Sequence, residues 1–175
     1  YASLHYPLSG KWTLQAGTRY NYYRLQADFD TTFYPFPFTT ADISKGALTG
    51  SLGAVYHASH KTVVSLNLAT GFRAPNVDDM GKVFDSEPGS VVVPNPKLQA
   101  EYAYNAELDV VHVFGSVLKV DFAAYFTMLE NAMVRRDYAL NGMETILYDG
   151  TESQVQAIQN AASAKVYGLQ AGLEY

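Results

Sequence analysis

The sequence predicts an all-β chain, an antiparallel up-and-down meander that forms a segment of a large transmembrane β-barrel. Three observations predict it. Long stretches alternate apolar and polar residues with a period of two, which puts one set on each face of a strand. The connections between them alternate short and long. Aromatic residues sort to both ends of the apolar face, as at two membrane–water boundaries.

The first residues, through Tyr6, read as the tail of a strand, and Pro7-Leu8-Ser9-Gly10 reads as a turn by its Pro and Gly. In 11–22 the even positions are Trp12, Leu14, Ala16, Thr18, Tyr20 and Tyr22, and the odd ones are Lys11, Thr13, Gln15, Gly17, Arg19 and Asn21. After Tyr22-Tyr23 the phase slips, and Tyr23, Leu25, Ala27 and Phe29 carry the apolar character. Either a bulge sits there or the strand has left the membrane.

A loop is predicted over 29–45, with Phe33, Tyr34, Phe36 and Phe38 around two prolines. Strand 46–57 follows, with Leu48, Leu52, Ala54 and Tyr56 on one face, then a tight connection at 58–61. Strand 62–73 places Val64, Leu66, Leu68, Thr70 and Phe72 outward against Ser65, Asn67, Ala69, Gly71 and Arg73. A loop over 74–98 holds four prolines. Strand 99–113 sets Tyr102, Tyr104, Ala106, Leu108 and Val110 against Glu101, Asn105, Glu107 and Asp109. A turn at 114–116 leads to strand 117–134, which sets Leu118, Val120, Phe122, Ala124, Phe126 and Met128 against Lys119, Asp121, Ala123, Tyr125 and Thr127. A polar loop over 137–156 precedes the last strand, which ends with Tyr167, Leu169, Ala171, Leu173 and Tyr175 on one face.

All short turns therefore fall at one rim and all long loops at the other, as in outer-membrane barrels. Tyr6, Trp12, Tyr56, Phe114 and Tyr175 lie beside the short turns; Tyr20, Tyr22, Phe72, Tyr102 and Tyr104 lie near the long loops. From Trp12 to Tyr20 or Tyr22, at ~3.3 Å per residue and a tilt near 45°, is roughly 19–23 Å, close to the ~25 Å apolar band of such barrels. A soluble β-sandwich also alternates, but its strands are shorter and nothing sorts its aromatics by rim.

Composition agrees. Hydrophobic residues make up 48% of the 175 and charged residues only 17%, below the usual quarter. No run of about 18 apolar residues exists, so no transmembrane helix is expected. The 14 Tyr and 9 Phe against one Trp favour strands and a membrane boundary. There are no cysteines, which excludes disulfides and thiolate metal sites. The net charge of −5 without a basic cluster argues against nucleic acid as a partner. Lumen-facing charges such as Arg19, Glu107, Asp109, Lys119 and Asp121 are solvated or paired there; Arg or Lys facing lipid at the midplane costs ~2–4 kcal/mol. The count is about six full strands plus a partial one, all in one partial barrel domain over 1–175. Small barrels need an even count of at least eight. The chain is expected to be a piece of a larger barrel, or an open sheet.

Two motifs sharpen the reading. Ala69-Thr70-Gly71-Phe72-Arg73-Ala74-Pro75-Asn76 tops an upward strand, and Val93-Pro94-Asn95-Pro96-Lys97-Leu98-Gln99-Ala100-Glu101 opens the next downward one, followed by Tyr104-Asn105-Ala106-Glu107-Leu108. This resembles the barrel of TonB-dependent outer-membrane receptors, with their "GFRAP" and "NPxLxPE…xNxELG" segments. Asn160 through Gly168-Leu169-Gln170 resembles their "N…GxE" strand, with Gln170 in place of Glu. Ala100 replaces the customary Pro and Asp109 the usual Gly. The resemblance implies a 22-stranded barrel in the cell outer membrane, plugged by an N-terminal domain. It implies import of a scarce bulky nutrient (ferric siderophore, haem or cobalamin), powered by the TonB–ExbB–ExbD complex through the plug. Neither plug nor TonB box lies in these residues. A passive porin, an adhesin and a soluble β-sandwich are the alternatives.

Candidate site residues follow. Gly71, Phe72, Arg73, Pro75, Asn76, Asn95, Pro96, Glu101, Asn105 and Glu107 are read as shaping the outer rim, with Glu101 and Asn105 suited to pairing with Arg73 or bonding a plug. Phe33, Tyr34, Phe36 and Phe38 are candidate stacking surfaces for an aromatic or sugar-like ligand, against loop–loop packing. Arg135 and Arg136 are candidate contacts for an anionic ligand or lipid phosphate. Asp78, Asp79, Asp85 and Glu87 match no compact calcium loop, so no metal or cofactor is expected. His5, His57, His60 and His112 fall beside the short turns with no catalytic partner set, so no enzyme is expected.

Overall fold

The structure, a computed structural model, describes the chain except residues 31, 33–35, 37, 82–83, 88 and 116, and gives only the backbone of 81 and 84–86. Seven strands form a meander: β1 (Ala2–Pro7), β2 (Trp12–Asp28), β3 (Thr40–Ser59), β4 (Thr62–Arg73), β7 (Glu101–Phe114), β8 (Leu118–Asp137) and β10 (Thr151–Glu174). Each pairs antiparallel with the next. The connection between β4 and β7 carries a short helix α1 (Val77–Gly81) and strands β5 (Phe84–Glu87) and β6 (Ser90–Val92). That between β8 and β10 carries β9 (Thr145–Tyr148).

The register lines up residues of like polarity across the whole sheet. Tyr6, Leu14, Ala54, Leu66, Leu108, Ala124 and Leu169 form one row on one face. The next row, on the other face, is His5, Gln15, Gly53, Asn67, Glu107, Tyr125 and Gly168. Leu14, Leu66, Leu108 and Phe122 are 38% to 45% exposed, so no second sheet or helix among the described residues covers the apolar face. Threonines on that face return their hydroxyls to the backbone: Thr18 donates to Thr49 O at 3.3 Å, and Thr70 to Gly50 O at 3.3 Å. This removes the cost of a bare hydroxyl in lipid.

The girdles also give the strand tilt. Trp12 is in register, through Tyr56, Val64, Val110 and Phe122, with Ala171. The aromatic beside the short-turn rim near β10 is Tyr175, four residues further down. Four residues of descent, about 13 Å, over five strand spacings, about 24 Å, incline the band about 30° to the register rows. That approaches the ~35–45° tilt of membrane barrels.

Several sequence expectations need correction above the outer girdle. The β2–β3 ladder runs unbroken from Trp12–Tyr56 to Asp28–Thr40, so there is no bulge at Tyr22-Tyr23. The strand has left the membrane instead. Its even face turns from Trp12 through Tyr22 to Arg24, Gln26 and Asp28, because water replaces lipid outside it. Its odd face turns apolar, because loops fold over it. The loop predicted over 29–45 ends early, with β3 starting at Thr40. The stretch 74–98 is not plain loop, and β7 starts at Glu101 rather than at 99. Within 137–156, β8 reaches Asp137, β9 pairs with β10, and β10 starts at Thr151. One pair is parallel: β6 lies along β10, with Ser90, Val91 and Val92 opposite Gln154, Val155 and Gln156.

The buried core lies in this extracellular part. One cluster joins Val91, Val93, Leu140, Ile146, Val155 and Ala157, with Phe36, Phe38, Tyr138 and Tyr148 packed on it. A second joins Ala41, Ile43, Met80 and Leu98, flanked by Tyr23, Leu25, Phe29, Met133 and Ile158.

Candidate functional site: the extracellular rim

The rim is assembled where ladders end and side chains take over the backbone's unpaired groups. Between β3 and β4 the register stops at Ser51–Ala69, and Gly50 N–H donates instead to Thr70 Oγ1 at 2.8 Å. Between β7 and β8 it stops at Tyr102–Glu130. Beyond it, Met133 N–H donates to Glu101 Oε2 at 2.9 Å, so a carboxylate replaces the missing strand. A backbone N–H away from water needs such a partner.

The other oxygen of Glu101 accepts from Arg73 Nε at 2.7 Å. Arg73 Nη1 donates to Asp79 Oδ2 at 2.9 Å. Asp79 in turn caps α1 reciprocally with Asn76: Asn76 N–H donates to Asp79 Oδ2 at 3.0 Å, and Asp79 N–H to Asn76 Oδ1 at 2.8 Å. Thus the "FRAPN" segment is a bracket that ties the top of β4 to α1 on one side and to β7 and β8 on the other. Burial would raise the Glu101 carboxyl above its ordinary range, but the Met133 amide and the Arg73 guanidinium outweigh it and hold it below. The same hydrogen bond to Glu101 is the main cause that raises Arg73.

The second motif is an anchor. Pro94, Asn95, Leu98 and Ala100 are all buried. Asn95 Nδ2 donates to Ile158 O at 2.8 Å, its Oδ1 accepts from Lys97 N–H at 3.1 Å, and its own N–H donates to Met80 O at 3.0 Å. Asn160 completes the tie. It accepts from Gln99 N–H at 2.8 Å and donates to Gln99 O at 2.9 Å and Asn131 O at 2.8 Å. Asn131 has φ of 55°, and the β8–β10 register shifts on either side of Ala162, so Asn160 sits where the ladder supplies least.

Of the remaining candidates, Phe36 and Phe38 stack on each other at 5.7 Å, Phe38 meets Phe29 edge-on at 5.1 Å, and both rest on the first core cluster. Phe33 and Tyr34 lie outside the described residues. Arg135 and Arg136 end β8, exposed, with no ion pair among the described residues. Gly71 has open space where a Cβ would stand, so packing does not explain it. Phe72 stands 6.3 Å from both Tyr23 and Tyr102. Pro75 is buried and Pro96 half-buried. Asn105 accepts from Thr127 Oγ1 at 2.7 Å rather than from Arg73, and Glu107 faces the lumen side opposite Asn67 and Tyr125. Asp79 is taken by Arg73 and Asn76, the side chain of Asp85 lies outside the description, and no group of three metal-ligating side chains occurs among the described residues.

Sequence reasoning passed over Asn160 as a clamp and missed two hairpins in 137–156. The signals were present: Asn141-Gly142 and Asp149-Gly150 both take positive φ (52° and 80°, 47° and 76°), the pattern of a two-residue hairpin turn.

The whole chain, residues 1–175, matches the family model "TonB dependent receptor-like, beta-barrel". It is an outer-membrane barrel chain, and it belongs to that family. Among solved structures it is similar to the hemophore receptor HasR of Serratia marcescens, described in complex with its hemophore HasA and heme. The TM-score is 0.73 at 18% identity, covering 98% of this chain and 30% of that one. It is similar to the siderophore receptor PirA of Acinetobacter baumannii, with a TM-score of 0.69, 12% identity, and 98% and 24% covered. It is also similar to the FrpB iron transporter of Neisseria meningitidis, with a TM-score of 0.66, 18% identity, and 99% and 23% covered. The chain spans less than a third of each of these. No curated protein sequence matches it.

Proposed function

We propose that this chain is part of the barrel wall and outer rim of a TonB-dependent active transporter. In this reading it imports a scarce bulky nutrient of the ferric-siderophore, haem or cobalamin type, with TonB–ExbB–ExbD acting through a plug outside these residues. The observation that carries the reading is the match of the family model to the whole chain. The built rim supports it. Long loops, folded around two apolar clusters, stand over one end of an amphipathic sheet. Such a mouth is rigid enough to present groups to a ligand, and Arg135 and Arg136 are free to meet an anionic one. The aromatic residues of the loop, Phe33, Tyr34, Phe36 and Phe38, are the other candidate contacts, of which Phe36 and Phe38 also pack on the first core cluster.

The test is uptake in cells that carry the full receptor and grow in low iron. Radiolabelled iron as ferric siderophore or haem should enter only with the receptor and an intact TonB. Uptake that persists without TonB would indicate a passive pore, and growth unaffected by deletion on every iron source would overturn iron import.

A further inference from the structure

The upper part of β3 carries an open strand edge. Along the β2–β3 ladder the odd residues of β3 bond to β2, as Phe29 N–H to Thr39 O and His57 N–H to Lys11 O, both at 2.8 Å, show at its two ends. The even residues therefore turn their N–H and C=O toward β4. Below Gly50 these groups are taken by β4, and at Gly50 both are met by Thr70 Oγ1, at 2.8 and 3.3 Å. Above Gly50 the ladder has ended. The backbone N–H and C=O of Leu48, Gly46, Ser44 and Asp42 have no partner among the described residues, and all four residues are exposed.

The place beside this edge belongs to β4, and β4 is committed elsewhere. Its top is held through Arg73 by Glu101 of β7 and Asp79 of α1, and Phe72 stands 6.3 Å from Tyr23. A further barrel strand cannot enter, because β4 fills the same column lower down.

A bare edge of this length is normally blunted by a proline, a bulge or a covering segment. The stretch from Asp42 to Leu48 holds no proline, and its ladder with β2 has no register shift. The outward face beside it is built up instead. Tyr20 reaches across from β2 over Gly46, where a Cβ would strike its hydroxyl, and Tyr22 Oη bonds Ser44 Oγ. Leu48, opposite Tyr20, is 66% exposed. On the inner face Lys45 is exposed and has no ion pair among the described residues, whereas Asp42 is paired with Arg24. The edge is thus a row of backbone donors and acceptors at two-residue spacing, bordered outside by phenol rings and Leu48 and inside by one cation.

We propose that this edge takes an extended polypeptide segment from the external medium, added antiparallel to β3 as an extra strand. Only a peptide backbone repeats one donor and one acceptor at that spacing. The segment's outward side chains are apolar, to lie beside Leu48 and the rings, and one inward side chain is acidic, opposite Lys45. A second copy of the receptor is excluded. Two copies in one membrane run β3 in the same sense, whereas pairing of one edge with itself under two-fold symmetry is antiparallel. The proposal is independent of the nutrient carried, so its failure leaves the transporter reading intact.

The full-length receptor in nanodiscs tests it, by hydrogen exchange resolved at single amides. In the receptor alone, Asp42, Ser44, Gly46 and Leu48 should exchange about a hundredfold faster than Ile43, Lys45 and Ala47, whose amides bond to β2. The probe is a short synthetic peptide alternating valine and threonine, with one glutamate among the threonines. At millimolar concentration it should slow the four even amides about tenfold and leave β4 unchanged. The same peptide N-methylated at alternate residues, along the edge that pairs, should do nothing. Ser44→Pro removes one edge N–H and should abolish the effect, whereas Ser44→Ala keeps that N–H and should preserve it. Lys45→Glu should weaken binding of the glutamate peptide more than binding of one with threonine in its place. Each variant is first shown to be a folded barrel by its heat-shifted electrophoretic mobility. Protection of the four amides in the receptor alone would mean that a segment of the receptor itself covers the edge, and would overturn the proposal. So would a peptide effect that survives N-methylation or Ser44→Pro, or no slowing at all.

Discussion

Removing Glu101 should loosen one backbone amide on a different strand, and the geometry says by how much. Its carboxylate is the acceptor for Met133 N–H at 2.9 Å, at a point where β7 no longer runs beside β8. Glu101→Ala leaves that amide half-buried without a partner, a cost of ~1–3 kcal/mol. It also deletes the ion pair to Arg73, whose side chain is 46% exposed, so that part is worth only ~0.2–1 kcal/mol after screening. A local loss of about 2 kcal/mol accelerates amide exchange by about thirtyfold. Hydrogen exchange resolved at Met133 should show that, while the lower strands stay protected. Glu101→Gln keeps an acceptor oxygen and should cost less, and Asp79→Ala touches Arg73 but not Met133 and should leave that amide alone. pH acts with a fixed sign. The folded carboxyl is held below its ordinary range, so its contribution is complete above about pH 5 and is lost as pH falls through the lower folded value. Unchanged exchange at Met133 in Glu101→Ala, or an equal rise in Asp79→Ala, would refute the strand-replacement reasoning.

Three further outcomes are expected. Leu66→Arg, on the apolar row, should cost ~2–4 kcal/mol and block insertion into vesicles, whereas Asn67→Arg, one residue on but facing the lumen, should insert normally; electrophoretic heat-shift distinguishes folded from unfolded protein. Asn95→Ala removes the bonds to Ile158 O and Lys97 N–H, at ~1–3 kcal/mol, and limited proteolysis should then cut within 74–98 before any other loop. Gly150→Val forces a branched side chain to φ of 76°, a strain of ~1–2 kcal/mol, and amide exchange should rise across β9 and not in β4.

The membrane part was legible because lipid imposes one rule on every strand. Each side chain faces lipid or lumen, the period is two, and the whole sheet shares the pattern; reading any one strand, such as 62–73, suffices. The extracellular part obeys no such rule. The parallel pairing of β6 with β10 joins residues about sixty positions apart, and nothing in Ser90-Val91-Val92 names its partner. Asn160 opens a recognisable motif, but nothing in the sequence says that its side chain clamps the backbone of Gln99 and Asn131. The Arg73–Glu101 pair was readable, because both sit at the end of alternating strands on one face; the Met133 amide that gives Glu101 its second role was not. For Phe36 and Phe38, aromatic character marks either a ligand platform or a core, and only packing decides.

The apparent slip at Tyr22-Tyr23 shows why hydrophobic pattern must be read together with the solvent. A bulge exchanges faces by inserting a residue. Here no residue is inserted, for Tyr22 is opposite Gly46 and Tyr23 opposite Lys45 in an unbroken ladder. The face that is apolar below becomes polar above, through Arg24, Gln26 and Asp42, and the face that is polar below becomes apolar, through Leu25, Ala41 and Ile43. Neither strand turned over; the surroundings did. Lipid outside and water inside give way to water outside and packed loops inside, within one or two residues of Tyr22. The same inversion on β3, from Leu48 outward to Ile43 inward, fixes the level at which both strands leave the bilayer. In a chain of this kind, an inversion of polarity without a register shift marks the membrane surface more sharply than the aromatic girdle itself, because it depends on both faces at once.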